Sequence, residues 1–368
     1  LLFNSESLFS SLPLSCPSWR AVVVMKAPTG APSLLDGMLL GTMGATSFRS
    51  VEHIQRLWGG YGSLDRVQLQ IGDAVADSGR GTKGCGAKDR SKKGKAKKGR
   101  KRDRAPLDNT VIVKHIQLGS VSEDEDREGA SYKRKHRSYH VETEFYRSFS
   151  SKTTPSCRVP SLLACATSDD GLEMGLVLED LDSAGFSARR YRMGVADIRA
   201  CLRWLASFHA TFLGVQPGDL WETGTYWHLG TRMDEYRAMP RGRLKNQAHK
   251  FDKALSGARH QTLVHGDAKP ANFCFADGTG PEGVAAVDFQ YVGKGVGVRD
   301  VAYLLYREGD SETEAGYLSD YFQYLRGCIM ERHGVKGATL AEEVVAEWTS
   351  LYPVAVDDFD RFYAGWGC

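Results

Sequence analysis

Hydrophobic and polar residues alternate along short stretches in the first half of the chain. Val67, Leu69 and Ile71 alternate with polar residues in DRVQLQIG, the pattern of a strand with one buried face. SVEHIQRL precedes this stretch across the loop WGGYGS, and TVIVKHI follows it after a long polar tract. We therefore predict three antiparallel strands, with the polar tract in the connection between the second and the third.

The spacing of apolar residues then changes to that of a helix in SYHVETEFYRSFS. Glu142, Phe145, Tyr146 and Phe149 recur at the spacing of one helix face. A carboxylate therefore lies within an apolar stripe.

The second half of the chain has mainly helical periodicity. After MGLVLEDLD, which predicts a strand and a connector, helical spacing holds from Val195 to Gly214 and in several later stretches. This order predicts an α+β protein with a β lobe at 46–178 and a larger, mainly helical lobe at 179–368. We leave 1–45 outside the fold as a targeting or read-through segment, and expect the tail of the larger lobe to be truncated after AGWGC.

Composition narrows the class of protein. The chain has 368 residues, 42% hydrophobic and 25% charged, as in ordinary globular proteins. Its eight cysteines show neither the spacing of a zinc site nor that of a disulfide framework. This favours a reducing, cytoplasmic location, with nuclear and organellar locations as alternatives. No stretch reaches the roughly 18 apolar residues of a membrane-spanning helix, so we expect no membrane span.

The net charge of +3 conceals a basic tract at 83–104. The tract holds twelve lysines and arginines against two aspartates, so it carries +10 and the rest of the chain −7. Such a composition cannot bury a core, and we predict a disordered insert at 80–106. A solvated loop is the favoured interpretation, and contact with nucleic acid, a membrane surface or an importin is the alternative. The acidic stretch 122–128 and the basic stretch 133–137 are also predicted to be solvated.

The stretch LVHGDAKPANFCF at 263–275 places polar groups among apolar residues. The run FCF, the turn-rich segment ADGTGPEG and the run VAAV before VDFQ predict a hairpin. The hairpin would bring Asn272 next to Asp288, near Asp267. Amide and carboxylate oxygens in this arrangement suit Mg²⁺, which takes phosphate oxygens as further ligands.

The spacing H-x-D-x-K-x-x-N, followed by an aspartate and a phenylalanine, matches the catalytic and metal-binding segments of protein kinases. With glycine in place of arginine, HGDAKPAN resembles the aminoglycoside phosphotransferase and choline kinase-like branch of the protein-kinase-like superfamily, including its ecdysteroid kinase-like (CHK kinase-like) group. VLEDLDSAGF, WLASFHATFLG, GTYWHLGTR and DFQYVGKGVGVRDVAYLL share this resemblance, which covers about 51–366.

The resemblance implies a bilobal protein-kinase-like fold, with a small antiparallel β lobe that includes one αC-type helix. It also implies a kinase that binds ATP and magnesium. The enzyme would transfer the γ-phosphate to a hydroxyl of a choline-, aminoglycoside- or steroid-like molecule. A catalytically idle kinase-like scaffold and a nucleic-acid contact through the basic tract are the alternative functions.

Phosphoryl transfer requires positioning and charge neutralisation, and the stretch offers groups for both. Asp267 would orient or accept the proton of the attacking hydroxyl, and Lys269 would neutralise charge on the transferred group. Asn272 and Asp288 would hold one or two Mg²⁺ ions. His265 is better explained as a structural residue than as a proton carrier.

The first lobe would bind the nucleotide. Lys114 shares a strand face with Ile112 and Ile116, and a buried ammonium group is costly unless it is paired. Glu142 would be its partner, as the αC glutamate is in a kinase. Helical phase turns the competing Glu144 away, and two exposed, unpaired charges remain the alternative.

The resemblance also assigns backbone contacts. Gly60 and Gly62 in WGGYGS would let N–H groups approach phosphate, although a plain hairpin turn has the same pattern. The hinge would lie in LEDL, where backbone groups of Glu179 and Leu181 would bind adenine.

Two further features are expected to be structural. Asp300 resembles the aspartate that supports the catalytic loop from the following helix. The aromatic residues before the catalytic stretch are expected in the core, with a substrate pocket as the alternative: Trp221, Tyr226 and Trp227.

Overall fold

The structure is a computed structural model, and it describes residues 34–42, 45–71, 110–120, 129–276 and 283–366. The predictions of a disordered insert at 80–106 and of a solvated acidic stretch at 122–128 therefore lie outside the described residues, as do those for most of the N-terminal segment.

An antiparallel sheet of five strands, in the order β1-β2-β3-β5-β4, forms the first lobe. The strands are β1 (Ala45–Arg56), β2 (Gly62–Ile71), β3 (Thr110–Gln117), β4 (Leu162–Thr167) and β5 (Glu173–Glu179). The three strands predicted from alternation are present, and so is the strand predicted in MGLVLEDLD. Strand β4 was not predicted, because LLACAT is apolar throughout most of its length and shows no period of two.

A short helix covers one face of this sheet. Helix α1 (Leu34–Asp36) continues as a π-helical turn to Thr42, and its neighbours Met38 and Leu39 are buried against the sheet. The sheet contributes alternate apolar residues to this cluster: Val67, Leu69, Val111, Val113 and Val177. Part of the segment placed outside the fold thus packs on the sheet, because an apolar sheet face needs a covering layer.

Helix α2 (Ala130–Glu144), which continues as a π-helical turn to Phe149, packs on the other face. The predicted stripe is confirmed, since all four of its members are buried: Glu142, Phe145, Tyr146 and Phe149. The helix begins well before the stripe and so includes the basic stretch 133–137. The ring of Phe145 stacks on that of Phe289, with 3.9 Å between the centroids, which joins α2 to the second lobe.

The second lobe is mainly helical, as predicted. Its helices are α3 (Val195–Thr211), α4 (Met233–Ala238), α5 (Arg243–Ser256), α6 (Val298–Leu304), α7 (Ser311–His333) and α8 (Val335–Gly365). A large core cluster runs through this lobe. None of the helices described here has the length and apolar composition needed to cross a membrane.

Two small strand pairs lie on the helical lobe at the side of the sheet. They are β6 (Thr262–Val264) with β9 (Gly293–Gly295), and β7 (Phe273–Phe275) with β8 (Val284–Ala286). Both pairs are antiparallel. They hold the segment HGDAKPAN between β6 and β7, and the segment VDFQ directly after β8.

Candidate functional site

The predicted hairpin brings two parts of the site together. Strands β7 and β8 pair, and the N–H of Val287 donates to the carbonyl oxygen of Asn272 at 3.0 Å. Asn272 and Asp288 therefore lie at the same end of the hairpin. Nδ2 of Asn272 donates to the carbonyl oxygen and to Oδ2 of Asp267, at 2.8 and 3.0 Å. The side-chain oxygen of Asn272 is thus the group that can take another ligand.

Asp267 is buried, and only one of its two carboxylate oxygens accepts a hydrogen bond from the described residues. Its Oδ2 also accepts a hydrogen bond from Nζ of Lys269 at 2.9 Å. Its Oδ1 is buried and, among the described residues, has no hydrogen-bond partner. Because an unsatisfied buried oxygen is costly, Oδ1 is the atom of this carboxylate that favours a ligand.

Asp288 combines an unusual backbone with an unsatisfied carboxylate. Its φ of 67° is left-handed, a conformation that aspartate tolerates better than most side chains. Its Oδ1 also has no hydrogen-bond partner in the described part of the chain, and Nζ of Lys114 lies 3.9 Å from it. Uncommon backbone conformations of this kind cluster at functional sites.

Lys114 and Glu142 form the predicted pair. Nζ of Lys114 donates to Oε2 of Glu142 at 2.5 Å, and the two residues are 5% and 2% exposed. The alternative of two exposed charges is therefore wrong. The competing Glu144 makes no ion pair with Lys114.

Burial and neighbouring charges shift the two aspartates in opposite directions. Burial raises the pKa of Asp267, and Asp288 raises it further, against the opposing effect of Lys269. Burial also acts to raise the pKa of Asp288, but the surrounding lysines, Lys114 foremost, lower it overall. Carboxylates whose pKa values are separated in this way suit two roles, one that accepts a proton and one that stays ionised.

Gly266 explains why this loop has glycine between His265 and Asp267. Its φ is 83°, and a Cβ atom there would lie 2.1 Å from the carbonyl oxygen of Tyr291. A side chain at this position is excluded by both the backbone conformation and the close approach of the neighbouring segment.

Asp300 supports the loop from α6. Its two carboxylate oxygens accept the backbone N–H groups of His265 and Gly266, at 2.6 and 2.9 Å, and His209 lies 3.1 Å from Oδ2. The ring of His265 is directed to the carbonyl oxygen of Val287, 3.0 Å from Nε2. These contacts are those of structural residues, as expected for both.

The two glycines predicted to contact phosphate in the loop between β1 and β2 have different surroundings. A Cβ atom on Gly62 would lie 1.9 Å from the carbonyl oxygen of His115, so this glycine is required by pairing with β3. Gly60, with φ 78°, has nothing within 4 Å of a Cβ position. The N–H of Leu57 donates to the carbonyl oxygen of Gly62, which closes the loop as a hairpin. Gly60 is therefore the one of the two that has room for a ligand.

Some backbone groups of the predicted hinge already make hydrogen bonds within the protein. The N–H of Glu179 donates to the carbonyl oxygen of Ser161, and the carbonyl oxygen of Leu181 accepts from Phe186. An adenine contact would therefore need the carbonyl oxygen of Glu179 and the N–H of Leu181. The side chain of Glu179 turns to Arg158, with 2.5 Å between Oε1 and Nη2.

Two further residues of the site, Lys135 and Gln290, were not predicted from the sequence. Nζ of Lys135 donates to Oε1 of Gln290 at 2.8 Å, and burial lowers the pKa of Lys135 to about 8. The prediction that 133–137 is solvated is therefore wrong at this position. The signal was available, because 135, 139 and 142 follow the spacing of one helix face.

The aromatic residues before the segment HGDAKPAN differ in burial. Trp227 is fully buried and packs on Phe359, as expected for a core residue. Tyr226 and Tyr291 are half-buried, with 5.7 Å between their centroids. Burial raises the pKa of Tyr226 to about 12, and the charge of Asp267 adds to this shift. The two tyrosines thus lie side by side next to the segment HGDAKPAN.

Comparison with known proteins assigns the family. The model of the phosphotransferase enzyme family matches residues 121–335, more than half of the chain, so the chain belongs to this family. It is therefore an enzyme of the kinase type, a phosphotransferase of the protein-kinase-like superfamily. A comparison with curated proteins found no match.

Solved structures give distant similarities. A microcompartment-associated aminopropanol kinase is 13% identical, with 70% of this chain and 83% of that chain covered and a TM-score of 0.39. A thermostable mutant of an aminoglycoside phosphotransferase, in its apo form, is 10% identical, with 90% and 99% covered and a TM-score of 0.39. A GDP complex of an aminoglycoside 2′-phosphotransferase is 9% identical, with 90% and 96% covered and a TM-score of 0.43.

Proposed function

We propose that this phosphotransferase moves the γ-phosphoryl group of ATP, with Mg²⁺, to a hydroxyl group of a small molecule. One observation carries the proposal: the buried, unsatisfied Oδ1 atoms of Asp267 and Asp288 converge with Asn272 close to the Lys114–Glu142 pair. This arrangement of oxygens and ammonium groups fits a reaction that needs positioning and charge neutralisation. The nearby imidazole of His265 is directed to the carbonyl oxygen of Val287.

The oxygen donors fit Mg²⁺, which binds carboxylates and amide oxygens and keeps sites for phosphate. Asn272 would contribute its side-chain oxygen and Asp288 its unsatisfied Oδ1. When bound, the ion would neutralise charge on the β- and γ-phosphates. Burial acts to raise the pKa of Asp288, but Lys114, Lys269 and Lys135, in that order, lower it and so favour the ionised carboxylate.

Asp267 would orient the acceptor hydroxyl and take its proton. The unsatisfied Oδ1 is the atom free for this contact, since Oδ2 is held by Lys269 and Asn272. Its raised pKa suits a group that accepts a proton. Lys269 would offset the charge that develops on the transferred group.

The first lobe would hold the nucleotide. Lys114, fixed by Glu142, would reach the α- and β-phosphates. Adenine presents a donor and an acceptor side by side, which the carbonyl oxygen of Glu179 and the N–H of Leu181 complement. Gly60 would allow close approach of the phosphates, and Gly62 would fix the hairpin that carries Gly60.

The acceptor would lie against the half-buried tyrosines. The guanidinium of Arg232 is 5.4 Å from the centroid of Tyr226 and donates to its carbonyl oxygen at 2.8 Å. A cation of the protein therefore already contacts this ring. This favours an acceptor with an uncharged, flat body over a choline-like quaternary amine.

The test is calorimetric titration of ATP, with and without Mg²⁺, into the wild-type chain and Asp288→Asn. Asparagine tolerates the left-handed backbone, so the variant removes charge with little strain. We expect Mg²⁺-dependent binding that is weakened at least tenfold in the variant, and unchanged in the exposed control Asp219→Asn. Binding by Asp288→Asn equal to wild type would contradict the assigned metal site.

Transfer is tested on the same samples with labelled ATP and a set of hydroxylated small molecules. Asp267→Asn should keep ATP affinity but lose about 10²–10⁴-fold in turnover, the usual contribution of a positioned base. ATP binding without transfer to any acceptor would favour the idle scaffold instead.

A further inference from the structure

Lys135 carries a half-buried positive charge to which the roles above assign no ligand. Its Nζ donates to Oε1 of Gln290 at 2.8 Å and lies 4.7 Å from the centroid of Tyr139. Among the described residues, no carboxylate lies within ion-pair distance of Lys135, whereas the other two lysines of the site, Lys114 and Lys269, each have at least one. Even partial burial of an ammonium group is costly without an anionic partner. The surroundings of Lys135 thus favour binding of an anion.

The position of Lys135 indicates which anion. Lys135 lies two helical turns, about 10 Å along α2, before Glu142 and on the same face. This end of α2 is near the loop between β1 and β2, because the rings of Tyr132 and Tyr61 are 6.0 Å apart. The loop between β1 and β2 adjoins the end of the sheet where Met174 of β5 lies, and residue 179 of the hinge lies at the other end of β5. Lys135 is therefore farther from the adenine contacts than Lys114 is.

The charge of Lys135 also acts on the catalytic segment. Asp288 and Asp267 both interact favourably with it, and Lys114 interacts unfavourably. The ammonium group thus lies within electrostatic reach of both aspartates, and in none of the ion pairs that the described residues form. A phosphate oxygen near Asp288 would supply the missing partner.

We propose that Lys135 binds the terminal phosphate of the nucleotide, with Gln290 holding its ammonium group in place. The inference rests on the proposed ATP-dependent function and adds a phosphate ligand from α2. Oγ of Ser138 also donates to Oε1 of Gln290, at 3.2 Å, so the amide is held from the same helix. A glycine after Asp288–Phe289, as in the protein-kinase motif, has no side chain that could do this.

The experiment titrates AMP, ADP and ATP, each with Mg²⁺, into wild type, Lys135→Met and Lys135→Arg. The matched control is Lys133→Met, an exposed lysine on the same helix. We expect Lys135→Met to weaken ATP binding by about tenfold to a hundredfold, the range of a charged hydrogen bond. The loss should be smaller for ADP and absent for AMP. Lys135→Arg should recover part of the affinity, and Lys133→Met should match wild type.

The outcomes separate the two proposals. Wild-type affinity for ATP in Lys135→Met would overturn the inference and leave the proposed function standing. An equal loss for all three nucleotides would also overturn it, because Lys135 would then only support the structure of α2. No ATP binding by the folded wild-type chain, checked by circular dichroism, would overturn the proposed function and the inference together.

Discussion

At the scale of single residues, the site depends on charges buried close to one another. Lys114 and Glu142 are both nearly inaccessible and satisfy each other. Burial alone would favour the neutral form of each, since burial lowers the pKa of Lys114 and raises that of Glu142. Their mutual attraction opposes both effects. For Lys114 the attraction of Glu142, together with that of Asp288, prevails, because the pKa of Lys114 is raised overall. Removing Lys114 leaves Glu142 buried without its counter-charge, and removing Glu142 leaves Lys114 with only the more distant Asp288, at 3.9 Å.

A double-mutant cycle should show this dependence. We expect Glu142→Leu and Lys114→Met each to lower the free energy of unfolding by about 3–5 kcal/mol. The double variant should lose much less than the sum, because no lone charge remains. Urea unfolding followed by circular dichroism measures all three, with Glu144→Leu as the control on the same helix. Additive losses would show that the pair contributes nothing as a pair.

At the scale of elements, the loop between β6 and β7 is held by three neighbouring segments. Asp300 on α6 accepts two of its backbone N–H groups, and the carbonyl oxygen of Tyr291 approaches Gly266 too closely for any side chain. The N–H of Tyr226 donates to the carbonyl oxygen of Gly266 at 3.1 Å. The loop therefore tolerates little displacement between β6 and β7.

Alanine at Gly266 should disturb this loop. We expect Gly266→Ala to abolish phosphotransfer and to reduce stability, because the chain must move to relieve a 2.1 Å contact. Gly316→Ala is the control: it lies within α7, where a Cβ atom meets nothing within 4 Å. There the same change should stabilise the helix by about 0.5–1 kcal/mol. Thermal unfolding and a transfer assay compare the two, and an active Gly266→Ala would contradict the proposed constraint.

At the scale of the whole molecule, one ring joins the two lobes beside the site. Phe289 is fully buried, stacks on Phe145 of α2 and lies 4.6 Å from the ring of His265. It follows Asp288 directly in the chain. Packing between the lobes and the position of the carboxylate are therefore linked through adjacent residues.

Phe289→Ala should affect both stability and binding. We expect a loss of about 3–5 kcal/mol in the free energy of unfolding, the usual effect of removing a buried ring, together with weaker Mg²⁺-dependent ATP binding. Phe322→Ala on α7 removes a buried ring in the second lobe and should lower stability while leaving ATP affinity unchanged. Denaturant titration and calorimetry measure the two effects. Equal ATP affinities in both variants would show that Phe289 acts on stability alone.

The sequence by itself determined most of the elements and the local chemistry, but not strand β4 or helix α1. Strand and helix periods are short-range patterns, so three strands of the sheet, the stripe on α2 and the helices of the second lobe could be predicted from them. The turn-rich segment after FCF likewise predicted that Asn272 and Asp288 come together, because a hairpin returns the chain to its start.

Only the tertiary structure decided what depends on contacts between distant segments. Lys135 belongs by sequence to a charged stretch, and its partial burial follows from the packing of α2 next to Gln290, 155 positions along the chain. Helical phase favoured Glu142 over Glu144 as the partner of Lys114, but its burial against β3 settled the choice. Burial raises the pKa of Asp267, whereas lysines from three separate segments lower that of Asp288. Burial and electrostatic fields sum over neighbours in space, and a one-dimensional pattern does not contain those neighbours.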